Sequence, residues 1–319
     1  MIAKASLAAV ALVALVLAGG RLATRPAPAP PAAAAPTTVA AAPPAWSFGT
    51  GAGQLGRGTT ADGRPIAPAS FLADASGLVV LDQENGRVVR GDGTSFPLPG
   101  KRADDLARAA DGSFAVLDRL GAKDVASGRV RGRLPLEGPG LEDARAVTRV
   151  VVSGKDVYVE RNGGGPLVRI GATDGTADGT RSEIPGVPTA EDDALVSAGV
   201  TSEDDGRAWV TVADRKGVHR WTRELRFPGE VSAVGFHGGA GGAVWVVLLA
   251  GATRAEYIDH AVCLDAATGA VRATVDLAVE TPAWESFRDF AVKDDGSLVA
   301  ARRSGDGVAY TPYACGAGS

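Results

Sequence analysis

Four carboxylates recur at one kind of place in this chain, directly after short apolar runs: Asp82, Asp118, Glu160 and Asp214. If these runs lie side by side, the carboxylates meet at one edge, and such oxygen ligands bind Ca²⁺ or another hard cation. The competing interpretation, which we favour, is that each acid caps its own turn or pairs with an arginine close by in the chain, such as Arg87, Arg119, Arg161 or Arg215.

Other catalytic chemistry has little support in the residues. His219, His237 and His260 share no short spacing of the kind that metal ligands show, so a three-histidine site would have to assemble in space. The chain has no G-x-S-x-G motif, and neither cysteine has neighbours that indicate a nucleophile. We therefore expect no catalytic residue and no cofactor, with Ca²⁺ as the alternative.

The elements that position these side chains follow from a repeat of two short apolar runs, interpreted as the first and second strands of a blade, with a glycine turn between them. The turn glycines are Gly77, Gly112, Gly154, Gly206, Gly242 and Gly296. Their mean spacing of about 44 residues is what a four-stranded propeller blade requires. The run after each glycine is the more apolar one, as expected of a strand packed between neighbouring blades. The pattern predicts an all-β, six-bladed propeller of antiparallel blades over residues 46–319.

The last repeat lacks one strand of its own. After the run near Leu298, only Val308 to Cys315 remains before the chain ends, whereas Trp46 to Thr50 precedes the first repeat and belongs to none. We predict that this N-terminal strand forms the outer edge of the sixth blade and closes the ring, which removes an open sheet edge.

The opening of the folded part resembles the NHL-repeat propellers. The matching stretches are 48–54, 68–74, 77–82 and 85–89. Farther along, Leu264 to Val271 looks more like the turn between third and fourth strands in PQQ-like propellers. Both resemblances imply a propeller with a binding face around its axis, and neither implies one chemistry, because such folds include enzymes and scaffolds. Asp82 matches a turn residue of the NHL repeat, which supports the capping interpretation.

In such a fold the four carboxylates lie on the face that carries the links between blades. That face should be acidic. The link into the sixth blade contains Trp284, Glu285, Arg288 and Asp289, and we expect these residues to contact a ligand there.

The first residues have the composition of an export signal. A basic start at Lys4 precedes an uncharged apolar stretch that ends at Gly20, so residues 1–20 are interpreted as a signal peptide, with an uncleaved membrane anchor as the alternative. Residues 21–45 are rich in Ala and Pro and are expected to be a disordered linker. We expect an exported protein, periplasmic or secreted, that contacts a membrane only through the N-terminal segment.

Cys263 and Cys315 are the only cysteines, an even number in a chain expected to be exported. They either form one disulfide or are two small buried side chains. The sequence leaves both interpretations open, because it does not show whether the two Cα atoms come within about 7 Å of each other.

Net charge −4 argues against nucleic acid as a partner, because nucleic-acid binders usually carry a basic excess. The expected function is a monomeric, non-enzymatic binding module that presents an acidic face to a protein or an envelope polymer. The alternative is a metal-dependent hydrolase or lyase, using Ca or Zn, with its site at the axial mouth.

Overall fold

The computed structural model describes residues 45–98, 103–119, 124–127, 133–138, 140–161, 164–252, 256–277, 280, 284 and 286–316, and for 124–127 it describes the backbone alone. The expected signal peptide, nearly all of the expected linker, and Glu285 lie outside these residues. None of the described segments forms a helix that could traverse a bilayer.

Strands dominate the described chain. They form six four-stranded antiparallel sheets, here called blades 1 to 6, and one two-stranded hairpin. Blade 1 comprises β4 (Ser70–Asp74), β5 (Gly77–Asp82), β6 (Arg87–Arg90) and β7 (Ser95–Pro97); blade 2 comprises β8 (Asp105–Arg108), β9 (Phe114–Asp118), β10 (Asp124–Ser127) and β11 (Arg133–Pro135); blade 3 comprises β12 (Val147–Ser153), β13 (Asp156–Arg161), β14 (Leu167–Ala172) and β15 (Glu183–Ile184).

The second half continues in the same order. Blade 4 comprises β16 (Val187–Pro188), β17 (Ala194–Ser202), β18 (Arg207–Asp214) and β19 (His219–Arg226); blade 5 comprises β20 (Glu230–Ala240), β21 (Ala243–Gly251), β22 (Ile258–Asp265) and β23 (Val271–Leu277); blade 6 comprises β24 (Phe290–Val292), β25 (Leu298–Arg303), β26 (Gly307–Tyr313) and β1 (Ala45–Ser47). The hairpin is β2 (Gly58–Thr59) with β3 (Pro65–Ile66), and a 3₁₀ turn spans Ala144–Ala146.

The all-β propeller class is confirmed. Blades 1 to 5 are meanders in which consecutive strands pair antiparallel, whereas blade 6 takes its fourth strand, β1, from the N-terminal side of the propeller. Tight turns join many of the consecutive strands. Gly112, for example, has φ +79, a conformation that favours glycine, and Asp111 accepts a hydrogen bond from the Ser113 N–H to fix that turn. The second strands are buried on both faces, as β21 shows, because neighbouring blades cover them.

The N-terminal strand closes blade 6, as predicted. β1 pairs antiparallel with β26, with Trp46 opposite Val308 and Ser47 opposite Gly307. The Trp46 ring packs against Tyr310 at a centroid distance of 5.8 Å. The first and last strands of the propeller therefore share one sheet, which ties the two ends of the ring together.

Blade 4 departs from the regular pattern of the other five. Its innermost strand, β16, has only two residues, whereas every other innermost strand has at least three. The prediction placed Gly206 between first and second strands, and this is wrong: Gly206 joins the second and third strands, β17 and β18. Val187–Pro188 is too short an apolar run to be recognised as a strand in the sequence.

The joints between blades are unequal. Large apolar clusters fill the joints of blades 1 and 2, 2 and 3, 4 and 5, 5 and 6, and 6 and 1. The joint of blades 3 and 4 holds a much smaller cluster, whose buried members are Tyr158, Leu167 and Val187. The short β16 supplies few side chains, so fewer buried apolar residues cluster at this joint than at the other five.

Candidate functional site

The propeller has two faces, which we define by the innermost strands. The link face is the side where β4, β8, β12, β16, β20 and β24 begin, and the turn face is the side where they end. The antiparallel register places the end of each second strand at the link face, as with Leu81 opposite Ser70.

A buried ion pair lies near the axis on the link-face side. Asp105, at the start of β8, is fully buried and accepts hydrogen bonds from the Ser70 hydroxyl and, at 2.9 Å, from the Val150 N–H. Its carboxylate also pairs with the guanidinium of Arg288, which reaches in from the link before blade 6. Residues of blades 1, 2 and 3 and of the link into blade 6 thus meet at the Asp105 carboxylate. Arg288 is engaged in this structural pair, and its side chain does not line an open ligand site.

Asp82 is a structural residue as well. It is fully buried, pairs with Arg87 at 2.9 Å and accepts a hydrogen bond from the Gly56 N–H at 2.7 Å. Arg87 in turn donates to the carbonyl of Gln54. Asp82 therefore holds the segment between the closing strand and blade 1, and its pairing with Arg87 is one of the local pairs that the sequence predicted.

Glu160 belongs to a buried triad with Arg149 and His237. Arg149 Nη2 lies 2.9 Å from Glu160 Oε1, Arg149 Nη1 donates to the His237 carbonyl, and His237 Nε2 lies 3.6 Å from the same carboxylate. Burial raises the pKa of Glu160, but Arg149, His237 and the Gly164 N–H outweigh it and lower the pKa to about 2. Burial, with Arg149 adding to it, lowers the pKa of His237 to about 4. The triad spans blades 3 and 5, where the short β16 leaves room.

In the predicted contact segment before blade 6, Trp284 is buried and residues 286–289 are partly buried. The Trp284 ring is 8% exposed and packs against Phe48 at a centroid distance of 5.5 Å. Asp289 pairs with buried Arg303 at 2.7 Å and accepts from the Ser286 hydroxyl. Glu285 lies outside the described residues. These side chains hold blade 6 in place, and the prediction that they form a ligand contact rests on the sequence alone.

The remaining predicted acids do not share a site. Asp118 lies at the link-face end of β9 and is partly exposed. Asp214 ends a third strand rather than a second one, so it lies on the turn face, where it accepts hydrogen bonds from the N–H groups of Lys216 and Val218. The expectation that Asp214 lies on the same face as Asp82 is therefore wrong.

Cys263 and Cys315 form a disulfide in the structure, with Cα atoms 5.6 Å apart. Cys263 lies in β22 of blade 5, and Cys315 follows β26 of blade 6. The bond therefore connects the end of the chain to the neighbouring blade.

An open site lies on the turn face, at the axis. The ends of the innermost strands of blades 1, 2, 3, 4 and 6 surround a cavity of about 600 Å³, here called the funnel. Its lining residues are 72–76, 108–110, 152–154 and 188–190, together with Asp192, Val292 and Asp294. Val152 lines the funnel and the Val150 N–H donates to Asp105, so about 7 Å of strand separates the funnel from the Asp105–Arg288 pair.

Paired charges line the funnel. Asp74 pairs with Arg108 and accepts from the Ser76 hydroxyl, and these hydrogen bonds outweigh partial burial and lower the pKa of the Asp74 carboxyl. On the opposite wall the Ser153 hydroxyl donates to Asp192 at 2.6 Å. Asp192 has φ +57, a left-handed conformation that aspartate adopts more readily than most residues. These groups are suited to recognising charged and hydrogen-bonding groups.

The sequence did not single out the funnel residues. The signal was present in the repeat itself, since each glycine turn between first and second strands reaches the turn face and carries polar neighbours such as Asp74 and Ser76. Within the described part of the chain, no three His, Cys, Asp or Glu side chains are grouped so that they could hold a metal ion.

No family model matches the chain, and no curated protein matches it. Among solved structures it is similar to BamB from Moraxella catarrhalis, at 16% identity over 73% of this chain and 72% of that chain, with a TM-score of 0.38. It is similar to the WD40 propeller domain of Doa1, at 10% identity over 75% and 77% of the two chains, with a TM-score of 0.38. It is also similar to a candidate 6-phosphogluconolactonase from Bacteroides fragilis, at 12% identity over 82% and 87%, with a TM-score of 0.46. These likenesses concern the fold alone, and the NHL resemblance is not supported by a family match.

Proposed function

We propose that this chain is an exported, non-enzymatic propeller module that binds part of a protein or envelope polymer in the funnel. The observation that carries the proposal is the cavity of about 600 Å³ on the turn face, which the ends of five innermost strands surround. Open, concave sites at the mouth of a β-structure are common places for ligands.

This proposal moves the binding face from the one the sequence indicated. On the link face the predicted residues Asp82, Glu160 and Asp289 are engaged in ion pairs with Arg87, Arg149 and Arg303. Removing a buried charge from such a pair to contact a ligand would cost several kcal/mol. A ligand can enter the funnel without breaking these buried ion pairs. Export is inferred from the apolar stretch that follows Lys4.

The test uses a side chain that fills the funnel. Ala190 is exposed and lines the funnel, so Ala190→Trp should obstruct it, whereas Ala52→Trp places the same ring on an exposed loop at the link face. We expect the full-length chain and Ala52→Trp to capture the same partner from an envelope extract, and Ala190→Trp to recover at least about tenfold less by quantitative mass spectrometry. Equal recovery with Ala190→Trp contradicts the proposal.

Elemental analysis of the purified protein provides a second test. Calcium or zinc that remains stoichiometric after dialysis would contradict a metal-free binding module and favour a metal-dependent hydrolase or lyase.

A further inference from the structure

We infer that the funnel and two neighbouring clefts on the turn face bind an extended polypeptide segment that carries lysine or arginine. The inference rests on the proposed function and specifies the chemistry of its ligand. We call the three cavities together the groove.

The three cavities of the groove are neighbours on the turn face. Thr189 lines both the funnel and a second cleft of about 400 Å³ between blades 4 and 5. Ala243 and Arg272 line that cleft and also a third one of about 490 Å³ between blades 5 and 6. A path of this shape, leading outward from the axis, suits a chain-like ligand better than a compact one.

The basic side chains of the groove are neutralised by acids of the groove itself. Arg108 pairs with Asp74, and Lys293 pairs with Asp295. In the middle cleft Arg220 pairs with Asp193, and Arg272 pairs with Asp265. These pairs leave no net charge, so any charge that attracts a ligand must come from other side chains.

Two carboxylates of the groove, Glu191 and Asp294, have no basic partner among the described residues. Glu191 accepts a hydrogen bond from the Gly241 N–H, and Asp294 accepts one from the Ala75 N–H at 3.0 Å. Both residues are exposed, so their carboxylates keep much of their hydration.

The two residues approach the turn at Gly241 from opposite sides. The Gly241 N–H donates to the Glu191 carboxylate, and a Cβ placed on Gly241 would lie 2.7 Å from the backbone carbonyl oxygen of Asp294. Glu191 lines the second cleft and Asp294 lines the funnel, so the excess negative charge lies on both sides of this turn. An ammonium or guanidinium group that arrives there gains attraction from two carboxylates without being buried, and so avoids a large desolvation cost.

The walls of the groove favour a polypeptide over a sugar polymer. No aromatic side chain lines it among the described residues, so a sugar ring finds no flat apolar surface on which to stack. Ala73, Ala109, Val152 and Ala190 instead give a narrow apolar lining. An extended peptide directs alternate side chains to opposite sides, so small residues can contact this lining while basic ones face the two carboxylates.

The test measures fluorescence anisotropy of a labelled decapeptide of alternating Lys and Thr with the full-length chain. The double variant Glu191→Gln with Asp294→Asn keeps both hydrogen-bond acceptors and removes two charges. The control, Glu203→Gln with Asp204→Asn, removes two charges from exposed side chains in the link-face turn that contains Gly206. We expect the first pair to weaken binding about tenfold and the control pair to change it less than about twofold.

Other outcomes overturn the inference. These are no binding of the Lys-Thr peptide, equal weakening by both double variants, or equally tight binding of a matched Glu-Thr decapeptide or of dextran. If Ala190→Trp abolishes partner capture while the Lys-Thr peptide does not bind, the ligand chemistry inferred here is wrong and the proposed binding site stands.

Discussion

The guanidinium of Arg288 pairs with the carboxylate of Asp105, a residue that lies 183 positions earlier in the chain. Asp105 begins the innermost strand of blade 2, and Arg288 lies in the link into blade 6. Arg288 also donates to the carbonyl of Val150 in blade 3, at 3.3 Å. The Arg288 side chain thus connects the link into blade 6 with blades 2 and 3. The pair therefore fixes the positions of these three blades near the link face.

Removing Arg288 should destabilise the propeller, because it leaves the buried Asp105 carboxylate without its counter-charge. We expect Arg288→Ala to lower the free energy of unfolding by about 3 to 5 kcal/mol. Arg226→Ala, which breaks an exposed pair with Glu224, should lower it by less than about 1 kcal/mol. Urea unfolding followed by tryptophan fluorescence measures both. Equal effects of the two variants would show that the axial pair contributes nothing beyond a surface pair.

Acid should destabilise the protein in two ranges of pH. His237 has a folded-state pKa of about 4 against 6.5 when unfolded, so below pH 6.5 the unfolded state takes up a proton that the folded state does not. Its contribution to stability is therefore lost between about pH 6.5 and 4, with a slope of at most about 1.4 kcal/mol per pH unit. Glu160, with a pKa of about 2 against 4.5, loses its contribution as pH falls from 4.5 toward 2.

The histidine part of this prediction can be isolated by substitution. His237→Gln keeps an amide oxygen near the position of Nε2 and does not titrate, so its unfolding free energy should depend less steeply on pH between 6.5 and 4.5. His219→Gln, at an exposed position, should keep the wild-type slope. Unfolding curves at a series of pH values supply the comparison, and an unchanged slope in His237→Gln would contradict the assignment.

The closing strand should be sensitive to one methyl group. A Cβ at Gly307 would lie 2.1 Å from the Trp46 carbonyl oxygen, whereas a Cβ at Gly305, in the same turn, meets nothing within 4 Å. We expect Gly307→Ala to displace β1 and cost about 1 to 3 kcal/mol, with Gly305→Ala close to neutral. Thermal unfolding and the rate of proteolysis near Trp46 check this. Slow proteolysis in Gly307→Ala would mean that β1 tolerates the added atom.

Reduction should lower the melting temperature through the disulfide between Cys263 and Cys315. These residues are 52 positions apart, and closing a loop of that length stabilises the folded state by about 4 kcal/mol in the chain-entropy model. Calorimetry with and without a thiol reductant measures the change. The double variant Cys263→Ala with Cys315→Ala serves as the control, because its melting temperature should already be low and should not respond to reductant.

Much of the fold could be predicted from the sequence because it depends on local signals. Turns at Gly77 and Gly112 lie between short apolar strands, and the unpaired run that contains Trp46 indicated the closing strand. Blade 4 could not be predicted in this way. Its first strand is only Val187–Pro188, which gives no recognisable apolar run. The sequence therefore places the turn at Gly206 between the first and second strands, although it joins the second and third.

The predicted acids likewise differ in whether their partners are near to them or far from them in the chain. Asp82 pairs with Arg87, five residues away, and Asp214 caps its own turn, as local pairing predicted. Glu160 instead pairs with Arg149 and His237, and His237 is in another blade. Such long-range partners have no signature in a single sequence, and the same is true of Asp105 with Arg288.

The small cluster of Tyr158, Leu167 and Val187 lies in the joint opposite the one where the closing strand connects blades 6 and 1. The ring is thus strengthened on one side by β1 and is weakest on the other, so separation of the two halves should begin between blades 3 and 4. The hydrogen bond from Ser153 to Asp192 crosses this joint at the wall of the funnel. A ligand that contacts both walls would therefore stabilise this joint. Separation of blades 3 and 4 would in turn weaken the binding of that ligand, so the two processes are thermodynamically coupled.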